Sequence, residues 1–251
     1  MYPFDWERLL DILTYHPQEP MIFSSGLFLW LFFGFSVVYA CLSRHDRARM
    51  VFVILFSYYF YYKNAGAWCC LLAVITLVNY FCALRLDHTE RPAARKAWLW
   101  LAVGFMLGQL AVFKYTDFTI GTWCDLTGEP RPDTPALPVL VGISFFTFQS
   151  MSYIIDVYRR QMPATRSLTD FAFFVSFFPT LLAGPILRAR TFLPQLQKPL
   201  CVTQQMLGTG TWFIIIGLFK KCVISDYISV NFVSRIFDNP ALYSGLENLL
   251  G

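Results

Sequence analysis

Apolar runs of close to twenty residues, separated by short basic clusters, recur along this chain and restrict what it can fold into. About 20 apolar residues in helical form cross the hydrocarbon core of a bilayer. Runs of this kind occupy residues 22–42, 67–84, 97–113, 137–157 and 206–224, with a shorter one at 50–62. At 1.5 Å per residue the short run reaches only about 20 Å, so it either borrows flanking residues or thins the bilayer locally. Composition agrees, with 56% hydrophobic and only 14% charged residues, where a soluble domain carries about 25% charged. The surplus apolar surface has to face lipid, and the chain reads as an all-α polytopic transmembrane bundle.

The net charge of +4 does not indicate a nucleic-acid partner, because the Lys and Arg residues form no basic face or tail. They stand in "SRHDRAR" (43–49), "RLDHTERPAARK" (85–96) and "YRR" (158–160), between apolar runs. The turn "KNAG" (63–66) and a loop over 114–135, with Asp117, Asp125, Glu129 and Asp133 against two basic residues, alternate with them. The positive-inside rule then puts the Arg-rich loops in the cytoplasm and the N-terminus outside. Ahead of the first span, Trp6, Leu9, Leu10 and Leu13 follow i, i+3, i+4, i+7 spacing. That pattern predicts an interfacial amphipathic helix within residues 1–20, ended near Pro17, ahead of a membrane bundle over 21–251. No cleavable signal peptide is expected, since a mixed-charge segment without a small-residue cleavage pattern precedes the first apolar run.

One apolar run breaks the rules of a straight span. "FFPTLLAGPILRARTFLPQL" (177–196) contains Pro179, Gly184 and Pro185 and then Arg188 and Arg190, and an interior proline costs a helix about 3 kcal/mol. Non-helical backbone at membrane depth survives only where protein covers it or water fills a cavity. Two readings stay open: short tilted or re-entrant helices lining a chamber with Arg188 at its cytoplasmic mouth, or a kinked span with an ordinary basic flank. Upstream, Gln149, Ser152 and Asp156 share one helical face within "GISFFTFQSMSYIIDVYRR" (142–160). Such a stripe either hydrogen-bonds another helix or lines a path. Asp156, beside Arg159 and Arg160, reads as either a structural ion pair or a substrate contact.

Catalytic side chains are not evident. His16, His45 and His88 lie in polar flanks without a nucleophile nearby in the pattern. Cys41, Cys69, Cys70, Cys82, Cys124, Cys201 and Cys222 form no CxxC pair and read as small core residues. No metal-ligand spacing and no phosphate-binding glycine loop is present.

The strings "LPVLVGISFFTFQSMSYIIDVYRR" (137–160), "FAFFVSFFPTLLAGPILRARTFLPQL" (171–196) and "GLFKKCVISD" (217–226), with "MIFSSGLFLWLF" (21–32), "LVNY" (77–80) and "FKYTDF" (113–118), resemble the membrane-bound O-acyltransferase family, most closely its bacterial alginate-acetylating branch. The resemblance implies a multi-helix enzyme of the bacterial inner membrane, its helices surrounding a funnel with a catalytic histidine deep inside. It implies acetyl-CoA as the cytoplasmic donor, with no bound cofactor. The acetyl group passes toward periplasmic acetyl-transfer proteins or directly onto a polysaccharide hydroxyl. Among the residues here, Pro179, Gly184 and Pro185 would shape the chamber, Arg188 would meet donor phosphates, and Gln149 and Asp156 would line the path. The family's "DFSGYSDMA"-like segment and its "WHISLS"-like histidine string lie beyond the part matched, so the 251 residues correspond to about the N-terminal half of the pattern. Taken alone they are expected to be inactive.

Two alternatives remain at this level. The D-alanyl-transfer branch of the same family shares the broken helix. A non-enzymatic membrane transport or scaffold subunit would also use broken helices and a polar stripe.

Overall fold

The computed structural model describes residues 6–17, 19–131, 137–138, 140–198 and 202–250, and every regular element among them is helical. Two compact units form, one from residues 1–21 and 30–199, the other from residues 22–29 and 200–251. Three helical stretches are long and apolar enough to cross a membrane: Gly26–Arg44, Asp46–His88 and Pro92–Thr127. The first contains α2 (Gly26–Cys41). The second is a pair, α3 (Asp46–Ala65) and α4 (Cys69–His88), joined by a 3-10 turn at Gly66–Trp68. The third is α5 (Pro92–Thr127).

The short run at 50–62 therefore solves its length problem by borrowing from both flanks. Asp46 sits in the first turn of α3 and Lys63 in the last, each where its charge complements the helix dipole. The "KNAG" segment is thus the end of a helix, and Gly66 at φ +57° terminates it. A Cβ on Gly66 would lie 2.8 Å from the Tyr15 ring, so only glycine fits. Lys63 is buried because the preceding helix α1 (Trp6–Leu13) ends over it. Its ammonium donates to the carbonyls of Ile12 (3.0 Å) and Thr14, and the Tyr59 hydroxyl donates to Leu13 O at 3.2 Å. These groups satisfy carbonyls that a helix C-terminus leaves free. The helix expected to run to Pro17 stops at Leu13; the side chains of Trp6 and Leu9 lie outside the described residues.

Residues 114–127 are not loop. Helix α5 runs unbroken for 36 residues, about 54 Å, and ends only where Gly128 adopts φ +72° and its amide bonds Cys124 O at 2.9 Å. No proline interrupts it before Pro130. Thr116, Thr119, Thr122 and Thr127 turn their hydroxyls onto the carbonyl four residues back. Loop-like polarity was accommodated inside a helix. The acidic residues Asp117 and Asp125 ride on that extension; Asp133 lies outside the described residues.

Helix α6 (Ile143–Tyr158) starts at Gly142, φ +84°, later than the sequence pattern suggests. Its far end is fixed by Arg95, a buried guanidinium on α5. Arg95 donates to Leu86 O (2.7 Å) and Thr89 O (3.3 Å) at the end of α4, and to Val157 O (3.3 Å) and Tyr158 O (2.8 Å) at the end of α6. One cation thereby caps two helix C-termini. It also brings the basic segments 85–96 and 158–160 to one end of the bundle. Trp68, at the start of α4, meets Phe113 of α5 at the opposite end, ring centroids 5.0 Å apart.

In the second unit, α10 (Gln204–Phe219), a π-helical stretch Lys220–Ser225, α11 (Asp226–Ile228), a second π-helical stretch Ser229–Val233 and α12 (Ser234–Asp238) follow one another without a break. Lys220 and Lys221, which cut the apolar run 206–224, lie inside this helical rod. Lys221 pairs with Asp226 at 2.6 Å, which neutralises its charge within the rod. Helix α13 (Gly245–Leu250) follows, opened by a reciprocal cap: Ser244 N donates to Glu247 Oε2 (2.8 Å) and Glu247 N to Ser244 Oγ (3.4 Å).

Candidate functional site: the interrupted helix

The run that looked like a broken span is three short helices, α7 (Leu168–Ser176), α8 (Phe178–Leu181) and α9 (Ala189–Leu196). The first break falls at Phe177 (φ −55°, ψ 105°). Pro179 explains it: proline tolerates the first turn of a helix, where no amide is needed, and cannot continue one. The break leaves a free carbonyl behind and a free amide ahead, both in an apolar interior. Gln149 Nε2 donates to Phe174 O, and the Phe178 amide donates to Ser57 Oγ at 3.2 Å. Gln149 and Ser57 are buried, so each supplies the partner that water cannot. Phe178 then sits among rings of Phe35 (5.5 Å), Phe56 (5.1 Å) and Phe60 (6.0 Å).

The path of this segment follows from its contacts. It leaves the basic end, where Ala164 N donates to Asp87 Oδ2 (3.3 Å), Thr165 N to the Tyr153 hydroxyl (2.9 Å), and the Tyr80 hydroxyl to Arg166 O (2.6 Å). It reaches Gly142 at the start of α6, where an added Cβ would lie 2.5 Å from Leu181 O. Then Gly184 folds tightly on Thr180, whose Cα would be 2.3 Å from a Cβ at that position. Pro185 prevents the helix from resuming. Residues 185–188 form no regular element, with Arg188 extended at φ −88°, ψ 127°, and the amides of Ile186, Leu187 and Arg188 make no hydrogen bond among the described residues. The chain then returns to the basic end, where Arg190 Nη1 reaches Gln161 Oε1 at 3.4 Å.

The six residues singled out from sequence separate into groups. Pro179, Gly184 and Pro185 define the two breaks, and Gln149 holds the first of them. Arg188 occupies the N-cap position of α9, where its carbonyl accepts from Thr191 N (3.1 Å) and Phe192 N (3.0 Å). Its side chain is exposed, with no hydrogen bond or ion pair among the described residues. Asp156 lies two turns along α6 from Gln149, buried, and its Oδ2 has no partner among the described residues. Arg159 and Arg160 are exposed and no ion pair among the described residues links them to Asp156, so of the two readings the ion pair is not formed. Ser57, Gly142 and Arg95 were missed. Ser57 is one hydroxyl in an aromatic run, and Arg95 looks like any other member of a basic flank.

Elsewhere, His88 and His45 are exposed and His16 is half-buried against Asp11, 3.3 Å away. Cys41, Cys70 and Cys222 are exposed rather than core residues, because they fall on helix faces that no other element covers; Cys82 and Cys124 are buried, and Cys201 lies outside the described residues. No cluster of potential metal ligands occurs among the described residues.

The sequence has relatives among known proteins. The chain is 38% identical over 217 residues to the probable alginate O-acetylase AlgI of Pseudomonas putida, covering 84% of this chain and 44% of the relative. The chain belongs to the membrane-bound O-acyltransferase family. The peptidoglycan O-acetyltransferase of Helicobacter pylori is 29% identical over 90% of the chain and 48% of its own length. The teichoic acid D-alanyltransferase of Bacillus subtilis is 33% identical over 49% of the chain and 32% of its own length. The chain thus spans less than half the length of these curated family relatives. No family model and no solved structure matches it.

Proposed function

We propose that this chain is part of an inner-membrane O-acyltransferase that moves acetyl groups from a cytoplasmic donor, acetyl-CoA, toward an extracellular polysaccharide. The observation that carries this reading is the 38% identity to an alginate O-acetylase across 84% of the chain, which includes the whole interrupted helix. The basic end faces the cytoplasm by the positive-inside rule, so the N-terminus faces the periplasm and α1 lies in the membrane interface. The segment from α7 to α9 then enters and leaves from the cytoplasmic side as a re-entrant element. Arg188, exposed beside irregular backbone whose amides are unpaired among the described residues, meets the anionic part of the donor; its planar donor fork suits phosphate oxygens. Gln149 holds the break open and Asp156 faces the path. The catalytic histidine of the family pattern is supplied by sequence beyond that matched here, and periplasmic acetyl-transfer proteins and a polysaccharide receive the acetyl group.

The test is complementation in an alginate-producing strain lacking its O-acetylase. The 251 residues are expressed alone and joined to the C-terminal half of a relative, and ester-linked acetyl on the polymer is measured. Acetylation in the joined form, lost on Arg188→Ala with normal membrane insertion, is the expected result. A joined form that inserts but never acetylates overturns the reading. Acetylation unchanged in Arg188→Ala removes the donor-contact role alone.

A further inference from the structure

A layer of buried polar side chains crosses the junction of α4, α5 and α6, away from the interrupted helix. Arg95 bonds both Leu86 O and Val157 O, which puts these two residues level on α4 and α6. Both helices run toward the basic end. Seven residues back, two turns along each, stand Asn79 and Ser150, both fully buried; a turn further stand Thr76 and Thr147, also buried. Gln109 enters from α5, its amide donating to Thr147 Oγ1 at 3.2 Å.

Three oxygens in this layer have no partner among the described residues: Asn79 Oδ1, Gln109 Oε1 and Ser150 Oγ. The serine is the most telling. Ser57, Thr76 and Ser176 all turn their hydroxyls onto the carbonyl four residues back, at 2.7 Å. Ser150 does not, although it is just as buried. Asn79 Oδ1 therefore lies at the height of a hydroxyl that has an unused donor, and Gln109 Oε1, held at Thr147, lies about one turn from it. No charged side chain belongs to the layer, so it offers nothing to balance an ion. One water molecule matches the set: it donates to Asn79 Oδ1 and Gln109 Oε1 and accepts from Ser150, the three bonds typical of a buried water.

We infer that the α4–α5–α6 junction is a binding site for ordered water, held by Asn79, Gln109 and Ser150. It fixes the register of the three helices through bonds that an apolar contact could not direct. This site stands independently of the acyltransferase reading.

Met106 reports on it. It lies one turn from Gln109 on the same face of α5 and is fully buried, so only a resident water can oxidise it in a brief X-ray radiolysis pulse. With the chain in lipid nanodiscs and H₂¹⁸O as solvent, Met106 is expected to gain ¹⁸O at a rate within about tenfold of exposed Met206. The Asn79→Leu, Gln109→Leu, Ser150→Ala triple variant is expected to lose that label while Met206 keeps its own. Should the triple variant misfold, Ser150→Ala alone, which removes only one hydroxyl, is expected to lower the Met106 label several-fold. An unlabelled Met106 in the wild-type chain, or a label that survives the substitutions, overturns the inference.

Discussion

The side-chain amide of Gln149 on α6 donates to the backbone carbonyl of Phe174, the last-turn carbonyl that the break at Phe177 leaves without a helical partner. Together with Ser57, which accepts from the Phe178 amide, it makes a helix break stable in an apolar interior. Gln149→Leu keeps the volume and removes the donor. The expected loss is about 1–3 kcal/mol, the cost of an unsatisfied buried polar group, read as a lower denaturation midpoint in detergent. Ser57→Ala should behave alike. A Gln149→Leu protein as stable as wild type would show that another group can reach Phe174 O.

Arg95 ties α4, α5 and α6 together at the basic end. Arg95→Met should cost about 3 kcal/mol or more, because several charge-assisted bonds are lost together, and should open residues 159–167 to limited proteolysis. Arg95→Lys should recover less than half of that loss. One ammonium cannot reach two helix ends as a planar fork does. Full recovery by lysine would mean that charge alone matters.

Glycine substitutions separate close approach from simple propensity. Gly142→Ala meets both a left-handed φ of +84° and Leu181 O at 2.5 Å, and Gly184→Ala meets Thr180 at 2.3 Å. Each should destabilise by about 1–3 kcal/mol. Gly104, within α5, has nothing within 4 Å, so Gly104→Ala should stabilise by about 0.5–1 kcal/mol. Thermal midpoints of the three variants in one detergent decide the matter, and equal effects would refute the packing argument.

The cap on α13 is pH-sensitive. Hydrogen bonds from the Ser244 amide and hydroxyl hold the Glu247 carboxyl below its ordinary range. A depressed folded-state pKa stabilises the cap above the ordinary glutamate value and loses that contribution as pH falls through the depressed one. The ¹⁵N-serine signal of Ser244 is therefore expected to titrate with a midpoint below 4.5, the ordinary value. A midpoint at or above 4.5 would contradict the capping geometry.

The sequence determined the class of fold by itself. Apolar runs of membrane length and basic clusters at alternate junctions allow only spanning helices, and Pro179 with Gly184 and Pro185 marked where one of them had to break. Each is a local property of the chain. Tertiary structure decided what local signals cannot carry. The extension of α5 to Thr127 depended on threonines that bond backward within the helix, although their composition reads as loop. Lys63 was assigned to a turn, yet it is buried because α1 brings free carbonyls over it. Gln149 and Asp156 looked alike in sequence, two polar residues seven apart on one helical face. Only the packing of α7 gave Gln149 a carbonyl to bond and left one oxygen of Asp156 with none, because a buried polar group takes its meaning from the partner another element delivers.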